Sequence, residues 1–289
     1  MAIGLTHLIM IFVRYSEIGL KSTPVRVRFE NRLKDNMMSM LAQDGVEAII
    51  TKNESRFYIE TNNEGAAVNA LSRVFGISSL SVAETCSSSM EDICDTAAKY
   101  SMGRISAGES FAVKARREGD HKYNSIDLGR EAGSAIFLAN EDKGIKVKLT
   151  NPDKVFFVEV RRNKAFIFDH YVRCHGGLPI GTQGKVLAEI EDDRGIVSAW
   201  FMMKRGCKVY VRGKGSDILR NYDPDLKQVD SEDPRNISGV VLGTSFADAE
   251  GLDVTRYNVP VYTPSIGMTD DEVSFQMDAI KEEISSNRM

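Results

Sequence analysis

The spacing of apolar positions along this chain changes several times and predicts a run of alternating strands and helices. Residues Leu8 to Arg14 are apolar and β-rich, which predicts a buried strand. Ser22-Thr23-Pro24 sets a hydroxyl ahead of a proline, a helix-start arrangement, and the basic amphipathic stretch that follows predicts a helix running to Gly45. VEAIITKN and SRFYIET read as two strands of a hairpin turning near Asn53 and Glu54, and EGAAVNALSRVFG as a short helix closing at Gly76. From about residue 78 the order is strand SLSVAET, helix SMEDICDTAAKYSMGRI, strand SFAVKARR, helix SIDLGREAGSAIFLAN and strand KVKLT. A hairpin, VFFVEVRRNKAFIFDHYVR, follows and turns at Arg162 to Lys164. Both segments therefore predict α+β layers.

The pattern changes after residue 185. KVLAEI, CKVYVRG and ISGVVLGTSF read as strands, with GIVSAWFMMKRG as a helix between the first two and TDDEVSFQMDAIKEEISS as a helix near the end. Helices between successive strands predict a parallel, doubly wound sheet. NYDPDLKQVDSEDPRN, residues 221–236, is acidic and broken by prolines, and reads as a loop.

Length and composition narrow the class. At 289 residues the chain can bury a sizeable core and divide into roughly two domains. No apolar run approaches the roughly 18 residues of a membrane span. LTHLIMIFV (5–13) lacks the basic leader and small-residue cleavage site of a signal peptide, so a cytoplasmic protein with no membrane partner is expected. Cys86, Cys94, Cys174 and Cys207 show neither C-x-x-C spacing nor an accompanying histidine cluster, which argues against a metal site and for reduced thiols. Net charge is −4, but residues 1–185 carry 25 Lys and Arg against 22 Asp and Glu, and the remainder carries 12 against 19. A sign change of this kind suits a polyanion-binding part joined to a part with another role.

The positive part contains a candidate interface. Lys114, Arg116, Arg117, Lys122 and Arg130 come from a strand end, a loop and the following helix, so they can converge on one surface to engage phosphates, with Tyr123 placed to stack on an unpaired base. Arg14, Lys21, Arg26, Arg28 and Arg32 form a second basic edge, Arg28 and Arg32 being four apart on one helix face. A solvated charged face is the competing reading. Two other stretches invite chemistry and fail. GLPIGTQGKV (177–186) resembles a Walker loop, but Pro179 stands at a glycine position and Val186 where a hydroxyl should follow Lys185. Cys174 and His175 adjoin, yet neighbours on a strand point to opposite faces, so no catalytic residue is assigned there.

RYSEIGLKS (14–22), FAVKARR with DLGREAG (111–133), NPDKVFFVEV (151–160), GGLPIGTQGKV (176–186), MMKRGCKV (202–209) and PSIGMTDDEV (264–273) occur in one order. In that order they resemble the tRNA 4-thiouridine synthetases over essentially the whole chain. The resemblance implies a ferredoxin-like domain over 1–77 and a THUMP domain over 78–174, both α+β and both binding tRNA. A truncated α/β PP-loop domain over 175–289 would follow. It further implies that the basic residues above meet the acceptor end of tRNA. In the family the PP-loop, S-G-G-x-D-S, enters on a K-V-led strand and leaves on a helix ending M-K-R-G. Anchoring on Lys185-Val186 and on Met203 to Gly206 sets Ile190, Glu191, Asp192, Asp193, Arg194 and Gly195 in its place, and none matches.

A phosphate cradle needs glycines, so that backbone N–H groups can approach, and a hydroxyl at the helix start; successive carboxylates repel a triphosphate instead. The family's catalytic cysteine lies beyond the PSIGM-like motif, and this sequence has no cysteine after Cys207. The expectation is a tRNA-binding protein that is non-catalytic or accessory in tRNA thiolation, with no cofactor. A second copy of the chain or a separate modification enzyme stands as its partner. The alternative is an active ATP-dependent tRNA sulfurtransferase with a divergent site, and ATP with Mg²⁺ belongs to that alternative alone.

Overall fold

The computed structural model describes residues 9–53, 56–230 and 236–286. Met1 to Leu8, Glu54 of the expected hairpin turn and Ser231 to Arg235 of the expected acidic loop lie outside them. In chain order the elements are β1 (Ile9–Arg14), α1 (Thr23–Gln43), β2 (Ala48–Asn53), β3 (Arg56–Thr61), α2 (Glu64–Ser72), β4 (Ser79–Ser87), α3 (Met90–Met102), β5 (Ser110–Glu118) and α4 (Ser125–Ala139). They continue with β6 (Lys146–Val147), β7 (Lys154–Arg161), β8 (Lys164–Phe168), β9 (Val172–Arg173), β10 (Lys185–Ile190), α5 (Asp193–Lys204) and β11 (Lys208–Gly213). The last are α6 (Ser216–Leu219), β12 (Lys227–Gln228), β13 (Val240–Leu242), β14 (Val261–Tyr262) and α7 (Asp270–Ser286).

The chain divides into two compact units. One comprises Met1–Phe12, Phe57–Glu64 and Leu80–Val172; the other comprises Val13–Arg56, Gly65–Ser79 and Arg173–Met289. In the first, strands follow the order β3-β1-β4-β8-β7-β5-β6. β5 runs parallel to β7, and β7 and β8 form an antiparallel hairpin. Arg162 at its turn has φ 51°, a left-handed conformation that a tight turn demands. The helices start where their caps dictate. Ser89 accepts a hydrogen bond from Asp92 N–H at the head of α3, and Asn124 with Asp127 forms a capping box on α4. Leu128, Ala132 and Ile136, four apart along α4, turn inward onto Phe111, Phe156 and Val158. A second cluster joins Phe12, Tyr58, Phe166 and Phe168, with the Phe12 and Phe166 rings 4.2 Å apart.

An acidic anchor ties the end of β8 to α3. Asp169, its side chain 7% exposed, accepts from Tyr100 Oη at 3.0 Å, Lys154 Nζ at 3.0 Å and His170 Nδ1 at 2.7 Å. Burial alone would raise its pKa, but the bonds from His170, Lys154 and Tyr100 outweigh that and hold it at about 2. An unfolded aspartate titrates near 3.9, so this folded value is depressed. Its stabilisation is present above about pH 4 and lost as pH falls through about 2. Asp169→Asn is expected to lower stability at pH 7 by about 2 kcal/mol and to flatten the acid limb of a urea-stability profile between pH 4 and 2. A profile identical to the parent's would contradict the anchor.

In the second unit, α1 begins after Ser22 with Pro24 in its first turn and buries Phe29, Leu33, Met37 and Met40 on one stripe. Gly45, φ 67°, supplies the left-handed residue after its end. Five strands form a sheet of order β12-β11-β10-β13-β14, every pairing parallel. Its core gathers Val186, Ala188 and Ile190 of β10 with Val209 and Val211 of β11, Val197, Trp200 and Met203 of α5, and Met277 and Ile280 of α7. The parallel sheet agrees with the sequence pattern, while its small parts differ. ISGVVLGTSF shortens to the three residues of β13, KVKLT to the two of β6, and the region read as a loop contains β12. α6, β12 and β14 have too few residues to show a period, and pairing with neighbours defines the strands.

Candidate nucleic-acid interface

β5 and α4 present the basic residues in the first unit. Lys114, Arg116 and Arg117 are exposed at the carboxyl half of β5, and Lys122 is exposed in the loop after it. Strand alternation turns Lys114 and Arg116 to one sheet face and Arg117 to the other, so the stretch does not form a single flat surface. Arg116 and Arg117 nonetheless line one groove of about 420 Å³ at the strand's end, with Glu118, Glu159 and Arg161. Parallel pairing sets Arg116 beside Glu159 and Glu118 beside Arg161. Arg161 was not singled out from the sequence, because only this register brings it to the groove. It is bonded to Glu118 and lies 3.7 Å from Glu159, so the groove's available positive charge rests on Arg116 and Arg117.

Two residues of the expected set are already engaged. Arg130 pairs with Asp127 at 3.4 Å and Glu131 at 3.2 Å. Tyr123 packs on the core cluster, donates its hydroxyl to the Ser88 carbonyl at 2.7 Å and stacks on His121, the rings 5.3 Å apart and 15° from parallel. Burial raises its pKa. It is therefore not a freely available platform for a base. Lys114, Arg116 and Lys122 enter no ion pair among the described residues. Arg14, Lys21, Arg28 and Arg32 belong to the second unit, where Arg28 lies over Phe29 with its guanidinium carbon 5.5 Å from the ring centroid and Arg32 borders a separate cleft.

The crevice of an open parallel sheet lies at the carboxyl ends of its strands, here where β10 passes into α5. Ile190 ends the strand and Asp193 begins the helix, so only Glu191 and Asp192 intervene. Asp192 is the N-cap, its carboxylate accepting from Gly195 N–H at 2.9 Å. That carboxylate stands where a phosphate would sit at the helix's positive end. Arg194 is buried and bonded to the Ser265 carbonyl at 2.8 Å, the Met268 carbonyl at 3.0 Å and Asp270 at 2.7 Å, so its charge is already taken up. Behind the helix start, a Cβ on Gly243 would meet Gly195 N at 2.4 Å, so backbone fills the space beside it. The remaining opening of about 170 Å³ is bordered by Glu189, Glu191 and Asp192, with Arg256 pairing with Glu189 at 3.3 Å. These residues do not fit a nucleotide triphosphate. Among the described residues no group of three or more His, Cys, Asp or Glu could hold a metal ion, and no helix is long and apolar enough to cross a membrane.

The sequence profile of the ThiI ferredoxin-like domain matches residues 10–81, and that of the THUMP domain matches residues 87–168. A protein of Saccharolobus islandicus named "Probable tRNA sulfurtransferase" is 33% identical over 326 residues, covering 91% of this chain and 84% of that protein. This chain belongs to the tRNA sulfurtransferase family. The Saccharolobus alignment is longer than the 289-residue chain itself, so it contains gaps on this side. The like-named relative of Methanosarcina acetivorans is 40% identical over 204 residues, 69% of this chain and 49% of the relative. The chain thus spans about half the length of the first such relatives it matches. Among solved structures, PH1313 of Pyrococcus horikoshii superposes with a TM-score of 0.80 at 27% identity, covering 96% of this chain and 100% of that one. A 4-thiouridine synthetase in complex with RNA and bound ATP gives 0.77 at 22% identity, covering 94% and 85%, which shows the shared fold. Ferredoxin-like and THUMP domains followed by an α/β domain make up the fold of this sulfurtransferase-family chain.

Proposed function

We propose that this member of the sulfurtransferase family binds the acceptor end of tRNA and serves tRNA thiolation as a non-catalytic or accessory component. Residues 1–77 would form its ferredoxin-like domain, 78–174 its THUMP domain and 175–289 an α/β domain whose PP-loop has been lost. The observation that carries the reading is the Asp192 carboxylate on Gly195 N–H at the junction of β10 and α5. An anionic cap there opposes triphosphate binding by charge, and Glu191 beside it adds to the repulsion. RNA binding is supported by the THUMP match and by the unpaired cations at the end of β5. Lys114, Arg116, Arg117 and Lys122 are assigned to phosphates, with Arg130 contributing less because of its ion pairs; Arg14, Lys21, Arg28 and Arg32 are assigned to a second basic edge. Tyr123, assigned to stack on an unpaired base, has one face on His121, so base stacking there would need that ring to move.

Two titrations test the reading. Calorimetry with Mg-ATP is expected to give no saturable heat, and a gel shift with tRNA is expected to show binding that weakens steeply with salt. A one-to-one ATP isotherm would overturn the non-catalytic assignment in favour of an active ATP-dependent sulfurtransferase, and salt-independent or absent tRNA binding would overturn the RNA assignment.

A further inference from the structure

The parallel sheet carries an unexplained concentration of positive charge at its amino edge, the end opposite the crevice. Lys185 opens β10, Lys208 opens β11 and Lys227 opens β12, with Lys185 directly beside Lys208 and Tyr210 beside Lys227 in the strand register. Like charges on neighbouring strands destabilise a sheet unless something neutralises them. Only Lys208 is neutralised, by Asp223 at 2.7 Å. Asp223 is engaged through that oxygen, Oδ1, which also accepts Asp225 N–H at 3.2 Å, while its buried Oδ2 has no hydrogen-bond partner among the described residues. Lys185 and Lys227 are exposed and enter no ion pair among the described residues, and the same holds for Arg32 on α1.

All four cations line one cleft of about 410 Å³, against the two carboxylates Asp223 and Asp225. The loop 181–185, rejected as a Walker loop, forms its rim. Arg32 lies against this loop, its Nε about 3.4 Å from where a Cβ on Gly181 would stand, and Gly181 itself adopts a left-handed φ of 89°. Three of the loop's N–H groups are already used, since Gly181, Thr182 and Gln183 all donate to the Gly206 carbonyl. Any anion here would be held by side chains, with the half-buried Tyr210 as a flat wall beside it.

We propose that this cleft binds the phosphate group of a nucleotide, held by Arg32, Lys185 and Lys227. Charge and size agree, because the cleft is net positive and a volume of this order admits a mononucleotide or one nucleotide unit of a polynucleotide. The phosphate could belong to a free nucleotide or to an RNA backbone. The site is distinct from the β5 groove and shares only Arg32 with the second basic edge of the tRNA reading, so the test uses the full chain carrying Arg116→Ala and Arg117→Ala. That chain is titrated calorimetrically with AMP, inorganic phosphate and a single-stranded oligouridylate, with adenosine as the uncharged control. Saturable binding of AMP or phosphate assigns the site to small phosphate esters, and binding of the oligouridylate alone assigns it to a phosphodiester backbone. In either case Lys185→Ser with Lys227→Ser, and separately Arg32→Ser, are expected to weaken binding at least tenfold without lowering the thermal midpoint. The proposal is overturned if none of the three probes saturates, if both variants bind as the parent does, or if an oligoglutamate peptide binds equally well at the same ionic strength.

Discussion

Replacing Arg116 and Arg117 together with alanine is expected to weaken tRNA binding at least about tenfold and to reduce the slope of log affinity against log salt by roughly 1.4 to 1.8, the share of two phosphate contacts. The expectation follows from which cations in the β5 groove remain available. Arg161 is taken up by Glu118 and Glu159, while Arg117 has one guanidinium nitrogen on the Gly119 carbonyl at 2.6 Å and Arg116 has no ion-pair partner among the described residues. Both arginines are exposed, so their loss is expected to change stability by no more than about 0.5 kcal/mol, and a thermal melt separates lost binding from lost folding. Arg130→Ala serves as the comparison. Its ion pairs with Asp127 and Glu131 compete with phosphate, so a loss below about threefold is expected. A double variant with the parent's affinity and salt slope would remove the groove from the interface.

Gly243→Ala is expected to destabilise the second unit by about 3 kcal/mol or more, the upper range for overpacking. The added Cβ would meet Gly195 N at 2.4 Å, Gly195 Cα at 2.6 Å and the Arg194 carbonyl carbon at 2.9 Å, all of them backbone atoms that no rotamer change can move. Nor can α5 retreat cheaply. Arg194 fixes its first turn to Ser265, Met268 and Asp270, and a Cβ on Gly195 would itself lie 3.2 Å from Ile190 Cα. Gly251→Ala is the control, since a Cβ there meets nothing within 4 Å. The first variant should melt well below the parent and the second close to it. Equal midpoints for the two would mean that the end of β13 and the start of α5 do not approach as closely as described.

Elements with strong local signals were legible in the sequence. α1 is framed by Ser22-Thr23-Pro24 and Gly45, the β7–β8 hairpin turns where expected, and KVLAEI coincides with β10 at Lys185–Ile190. Caps, turn residues and apolar period act over a few neighbours and can be read without partners. β12 and β14 could not be read, because two residues have no period and become strands only by pairing with β11 and β13. The candidate site divides the same way. Its cationic residue types along the chain were plain, but their grouping was not: β5 alternation separated Arg117 from Lys114 and Arg116, the parallel register brought in Arg161, and His121 covered one face of Tyr123.

The acidic stretch Glu191 to Asp193 shows where the boundary falls. By itself the sequence determined that carboxylates, and not glycines, follow β10, which already disfavours a phosphate cradle. Only the tertiary structure decided what those carboxylates do: Asp192 caps α5, Asp193 lies 3.5 Å from Lys281 of α7, and the Gly243–Gly195 contact fills the space behind them. The same holds at the opposite edge of the sheet, where Arg32, Lys185 and Lys227 are far apart in sequence and share one cleft. Residue chemistry and local propensity are properties of the chain. Which charges meet, and which are left without a partner, depends on contacts between residues distant in sequence, and those exist only once the chain has folded.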